Sequence, residues 1–156
     1  MRVRVIAVGT RLPAWAVSAC EEYLTRLSPQ LPVSLKEIPA GARTARGAGE
    51  RAVAEEGARL LKALRPGEQV AVLDERGQQL STRELAAWLG QRMHEGADLA
   101  FLIGGPDGLS PGVLARGRFT LALSRLTLPH ALARVLLAEQ LYRAHGILKN
   151  HPYHRD

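Results

Sequence analysis

The chain has 156 residues with a single cysteine, and 21 Lys and Arg against 15 Asp and Glu give it a formal charge of +6. That length fits one compact domain spanning 1–156, and Cys20, alone, cannot form an internal disulfide and reads as an ordinary helix residue. No run approaches the roughly 18 to 20 apolar residues of a membrane span, and the opening strand-like run lacks the regions of a signal peptide, so a cytoplasmic protein is expected.

In chain order, strand-like runs alternate with helix-like ones. Arg2–Val8 alternates apolar and polar residues and predicts the first strand; Ala14–Leu27 has apolar residues at helical spacing. Val33–Ile38 predicts a second strand, and a basic loop at 39–49 leads to a helix over Gly49–Leu64. Gln69–Leu73 predicts the third strand and Thr82–His94 the next helix. Ser81 followed three residues later by Glu84 supplies a capping box for that helix's orphan amides. Leu99–Ile103, a short helix at Pro111–Arg116, Phe119–Leu123 and a long helix at Ala131–Leu148 complete the order. The alternation predicts an α/β fold with a mainly parallel sheet flanked by helices. The unbroken apolar runs Val70–Leu73 and Leu99–Ile103 read as central strands covered on both faces.

Ligands of such sheets gather at the carboxyl ends of the strands, which directs attention to Asp74, Gly104, Gly105 and Ser124. The run Phe101-Leu102-Ile103-Gly104-Gly105-Pro106-Asp107-Gly108 ends a buried strand in glycines that let a flat ligand approach the backbone; it reads equally as an ordinary turn. There is no Gly-x-Gly-x-x-Gly after the first strand and no Gly-Lys-Ser/Thr triplet, which counts against a dinucleotide dehydrogenase and a nucleotide triphosphatase. Leu121-Ala122-Leu123-Ser124-Arg125-Leu126-Thr127-Leu128-Pro129-His130 runs from a strand into the longest helix. His130 there is either a phosphate or base contact or a plain capping histidine. The ending, Asn150-His151-Pro152-Tyr153-His154-Arg155, gathers groups able to stack on a base and donate to phosphate, although chain ends are also commonly frayed. No Cys, His and carboxylate set stands at metal-ligand spacing, so no metal is expected.

From Leu99 to Asp156 seven basic residues face three acidic ones, which puts most of the positive excess in the last third and points to a polyanionic partner. The helix Ala131–Leu148 is apolar on most of its circumference, a pattern that predicts burial against two surfaces and a dimer contact.

Three segments occur in one order: Leu102-Ile103-Gly104-Gly105-Pro106-Asp107-Gly108, then Leu123-Ser124-x-Leu126-Thr127-Leu128-Pro129-His130, then Asn150-His151-Pro152-Tyr153-His154-Arg155. With the opening Val5-Ile6-Ala7-Val8-Gly9-Thr10-x-x-Pro13-x-Trp15 and Ile38-Pro39-Ala40-Gly41, the whole chain resembles the ribosomal RNA large subunit methyltransferase H family of the SPOUT superfamily. The resemblance implies a SPOUT-type α/β fold with a C-terminal trefoil knot, and a homodimer whose partner tail helps complete each site. It implies transfer of a methyl group from S-adenosyl-L-methionine (SAM) to N3 of a pseudouridine in 23S ribosomal RNA of the large subunit or assembled ribosome. SAM is then expected on Leu73, Gly104, Gly105, Leu123, Ser124, Arg125, Leu126, Thr127 and Leu128. The expected catalytic residues are His130, Tyr153, His154 and Arg155, with Arg43, Arg46 and His151 contacting RNA. The sequence departs from the family at Ala42, where some members carry lysine. Two other readings stay open: a non-catalytic RNA-binding or ribosome-assembly protein, and an enzyme of the same scaffold acting at another RNA position.

Overall fold

A computed structural model describes residues 1–27, 29–43, 46 and 48–150. The elements are β1 (Val3–Val8), α1 (Ala14–Leu27), β2 (Val33–Ile38), α2 (Ala48–Ala63), β3 (Gln69–Gln79), α3 (Thr82–Glu95), β4 (Leu99–Ile103), α4 (Pro111–Arg116), β5 (Phe119–Ala122) and α5 (His130–Leu148). The strands form one sheet in the order β2-β1-β4-β3-β5, every pair parallel.

Side chains alternate across a strand, so each central strand feeds two cores. Val3, Val5 and Ala7 of β1 join Leu99, Phe101 and Ile103 of β4 on one face, where Leu85, Leu89, Leu137 and Leu141 of the helices close over them. Ile6 and Val8, with Ala100 and Leu102, point the other way and meet Leu60 of α2 and Val113 of α4. The helices therefore lie on both faces of the sheet, as the unbroken apolar runs predict. Truncating a fully buried ring such as Phe101 costs about 3–5 kcal/mol in a core of this kind.

The cap read from Ser81 is present in both directions: Glu84 N donates to Ser81 Oγ at 3.2 Å, and Ser81 N donates to Glu84 Oε2 at 2.7 Å. Gly96 ends α3 in the left-handed region, φ 77°, where a Cβ is strained. Cys20 is buried on α1, and burial raises its thiol pKa.

β3 departs from its expected extent by continuing to Gln79. After Leu73 pairs Leu121, the register with β5 jumps so that Gln78 pairs Leu121 again, leaving Asp74–Gly77 as a bulge. Arg76 pins it, its Nε donating to Asp74 Oδ1 at 2.8 Å and its NH2 to Asp74 Oδ2 at 2.9 Å. Gly77 packs so closely that a Cβ would stand 2.6 Å from Thr120 O. The strand thus runs past its expected end at Leu73, with a pleat pushed out at its carboxyl end.

α5 packs between α1 and α3. Its buried stripe, Ala131, Arg134, Leu137, Ala138, Leu141 and Ala144, has helical spacing, and Leu132, Val135, Leu136, Tyr142 and Ile147 remain half-buried. Among the described residues no helix is long and apolar enough to cross a membrane.

Candidate functional site

The bulge of β3 and the loops after β4 and β5 converge on one cleft of about 640 Å³, within the range of small-molecule sites. Each loop is shaped by local chemistry. The bulge of β3 presents Asp74, Glu75 and Arg76. After β4 the chain turns tightly: Gly108 N donates to Gly105 O at 3.1 Å, and Gly108 takes φ 80°. A Cβ on Gly104 would lie 2.7 Å from Gly108 O, so the close approach across the turn demands glycine there. After β5, Leu126 N donates to Ser124 Oγ at 3.0 Å, and Thr127 Oγ1 bonds Glu75 Oε2 at 3.1 Å, tying this loop to the bulge.

Of the nine positions expected to hold the cofactor, eight line this cleft: Leu73, Gly104, Gly105, Leu123, Ser124, Leu126, Thr127 and Leu128. Arg125 is exposed and does not line it. His130 also lines the cleft, as the first residue of α5, half-buried, with its ring against the loop after β1; a Cβ on Gly9 would stand 3.5 Å from His130 Nε2. Burial pushes the imidazole pKa below its ordinary value, and the nearby Arg134 and Arg43 cations push the same way against Glu56. The ring is therefore neutral at pH 7. His151, Tyr153, His154 and Arg155 lie outside the described residues.

The two arginines expected to meet RNA are placed differently. Arg46 is exposed. Arg43 is turned inward: its NH1 donates to Glu56 Oε1 at 2.6 Å and its Nε to Asp107 Oδ2 at 2.8 Å. The basic excess of the last third is likewise partly internal. Arg134, its side chain 1% exposed, pairs with Glu37 at 2.8 Å and donates to Val8 O and Gly9 O, while Arg143 pairs with Glu139 at 2.6 Å. Sequence reasoning did not single out Glu56, Asp107 or Arg134, and no local pattern marks them.

The lining suits an adenosyl group. Leu73, Ile103, Leu123 and Leu128 offer apolar walls, and Ser124 and Thr127 offer hydroxyls. Asp74, Glu75 and Asp107 bring carboxylates to the lining, two of them paired, Asp74 with Arg76 and Asp107 with Arg43. Among the described residues no group of three or more His, Cys, Asp or Glu could hold a metal.

Comparison with known proteins agrees with this geometry. Residues 1–154 match the model of a family described as predicted SPOUT methyltransferase. The chain is 53% identical, over all of both chains, to a protein of Thiobacillus denitrificans named ribosomal RNA large subunit methyltransferase H. It is 52% identical, over 99% of each chain, to the Alkalilimnicola ehrlichii protein of the same name. Among solved structures it shares its fold with a probable methylase family protein from Haemophilus influenzae, at TM-score 0.55, 13% identity, and coverage of 99% of this chain and 70% of that one. It also resembles a ribosomal RNA small subunit methyltransferase E from Neisseria gonorrhoeae solved with S-adenosyl methionine, at TM-score 0.54, 11% identity, and coverage of 95% and 66%. Full-length identity at this level, together with three strand-end loops that close one cleft, establishes that the chain belongs to the ribosomal RNA large subunit methyltransferase H family of SPOUT methyltransferases.

Proposed function

We propose that this methyltransferase binds SAM in the cleft after β3, β4 and β5 and methylates N3 of a pseudouridine in 23S ribosomal RNA. The observation that carries the reading is the convergence of eight expected cofactor positions and His130 on one cleft, in a chain 53% identical to a protein named for large subunit ribosomal RNA methylation. The trefoil threading implied by the resemblance belongs to the same reading.

SAM, when bound, supplies an electrophilic methyl on a cationic sulfur. The chain's own work is to align, to exclude water and to manage one proton. Leu73, Leu123 and Leu128 exclude water from the adenosyl side, and the Gly104–Gly108 turn lets the ligand meet backbone. N3 of the base must lose its proton at or before attack. Neutral His130 has a ring nitrogen able to accept it or to donate to a ring oxygen, where the resulting anion gathers charge. Tyr153, His154 and Arg155, with His151, are proposed to reach the acceptor from the partner's tail in a homodimer. The half-buried apolar residues of α5 and exposed Trp15 and Val17 of α1 supply the contact. Exposed Arg46 contacts phosphate. The site of action is then cytoplasmic, on the large subunit or the assembled ribosome.

The test is to incubate ribosomes lacking the modification with the protein and labelled SAM, then map the methylated nucleoside by mass. A methyl on pseudouridine N3 is expected. A methyl on a ribose or a guanine would replace this acceptor while keeping the scaffold's chemistry. No methylation of free RNA, subunit or ribosome would end the reading.

A further inference from the structure

The loop after β2 holds a bridge that the methyl-transfer chemistry does not use. Glu56 reaches up from α2 with its side chain 2% exposed, and its Oε1 accepts from Gly41 N at 3.0 Å and from Arg43 NH1 at 2.6 Å. Arg43 also donates through NH1 to Gly41 O at 3.2 Å and through Nε to Asp107 Oδ2 at 2.8 Å. Asp107 lies in the Gly104–Gly108 turn and lines the cleft. The same glutamate touches the turn from below, since a Cβ on Gly105 would lie 3.4 Å from Glu56 Oε2.

The two halves of the bridge differ. Glu56 is buried and Arg43 part-buried, 26% exposed, whereas Asp107 is 49% exposed and free to separate from Arg43 at small cost. The Arg43–Asp107 contact is thus the part of the bridge that reaches the cleft lining.

We infer that Arg43 and Glu56 are positioning residues that hold the Gly104–Gly108 turn, through Asp107, in the shape that receives the cofactor. The inference rests on SAM binding in the cleft, and it moves Arg43 from RNA contact to the cofactor side of the reaction. The loop after β2 then belongs to the cofactor site, and neither residue touches the reacting atoms.

Asp107→Asn tests it most cleanly, because it removes the charge, keeps the shape and leaves Glu56 paired. Titrated with S-adenosylhomocysteine, the full-length variant is expected to bind roughly three- to fivefold more weakly than wild type. KM for SAM rises by a similar factor while kcat and KM for RNA hold. Arg43→Gln in the Asp107→Asn background binds no more weakly than Arg43→Gln alone, since the partner is already lost. Arg43→Lys, which keeps charge without the fork, recovers part of the affinity. A second readout needs no ligand: exchange of the Gly108 amide, bonded to Gly105 O, quickens in Asp107→Asn while β4 amides hold. Wild-type affinity in Asp107→Asn overturns the inference, as does a loss carried in kcat alone. Were wild type itself indifferent to S-adenosylhomocysteine, the methyl-transfer reading would fall, and unchanged Gly108 exchange would then overturn the bridge's hold on the turn.

Discussion

Each end of the sheet holds an arginine paired with a buried glutamate, and the two pairs are built differently. At the amino ends of the strands, Arg4 NH1 donates to both oxygens of Glu68, at 2.8 and 2.9 Å. Arg4 NH2 caps Ala63 O, and Arg65 N adds a bond to Glu68 Oε2 at 2.7 Å. At the carboxyl ends, Arg43 and Glu56 leave one atom each unpartnered and lean on a half-exposed aspartate. Two charges taken from water are tolerable when every valence closes, so the first pair belongs to the architecture. The second stands where parallel sheets bind ligands, and it reaches the cleft lining through the half-exposed Asp107.

The largest expected effect tests the closed end. Glu68→Ala strands a buried guanidinium and is expected to cost about 3–5 kcal/mol, read from the urea midpoint at pH 7. Asp107→Asn, at the open end, is expected to cost less than about 1 kcal/mol. Equal losses would erase the distinction between the two ends.

Next is the turn itself. Gly104→Ala sets a methyl 2.7 Å from Gly108 O and 2.8 Å from Gly108 C, and backbone cannot yield as a flexible side chain can. A displacement costing about 1–2 kcal/mol appears as about a tenfold loss of S-adenosylhomocysteine affinity. Gly112→Ala on α4 meets nothing nearer than Leu61 Cδ1 at 4.0 Å and serves as control, with affinity and stability held. Parallel losses in the two variants would mean that any glycine change near this end loosens the cleft.

The fold was legible because apolar periodicity carries it: the runs Val70–Leu73 and Leu99–Ile103 have no polar member, and Ser81 and Glu84 state where α3 begins. The cleft was half legible. Strand-end position marked Asp74, Gly104, Gly105 and Ser124, and all four line it. The bulge was not legible because the apolar run stops at Leu73, and only the pairing of Gln78 and Gln79 with β5 carries the strand past it. The Arg43 bridge escaped because its charges stand 13 and 64 positions apart, beyond any local pattern. Arg43 in a basic loop reads as an RNA contact until the fold supplies its carboxylates. Arg134 was miscounted toward a basic surface for the same reason, its partner Glu37 being 97 positions away.

The pH dependence of His130 sharpens the contrast further. Its folded pKa lies below the ordinary 6.5, so above that value the folded and unfolded chains both carry it neutral. As pH falls through 6.5 the unfolded chain takes up a proton that the folded chain resists, and stability declines until the lowered pKa is passed. If His130 acts in methyl transfer as proposed, the rate falls only below the lowered pKa. His130→Gln is expected to flatten both slopes, checked by urea midpoints and by single-turnover rates between pH 5 and 8. An acid limb that survives the substitution would assign the proton to another group.

The smallest effect is expected outside the cleft, at Arg46. The side chain is exposed on the loop whose neighbour Arg43 is turned inward, so the two arginines separate the loop's outer role from its inner one. Arg46→Ala removes one cation from the proposed phosphate contact. It is expected to weaken ribosomal RNA binding a few-fold and to lower the slope of log affinity against log salt by about one unit or slightly less. S-adenosylhomocysteine affinity should stay at the wild-type value, because no cofactor-facing atom has moved. Asp107→Asn should do the reverse, weakening the cofactor and leaving the salt slope intact. If Arg46→Ala instead weakened the cofactor, the loop would act as one piece, and the line drawn between its outward arginine and its inward one would be wrong.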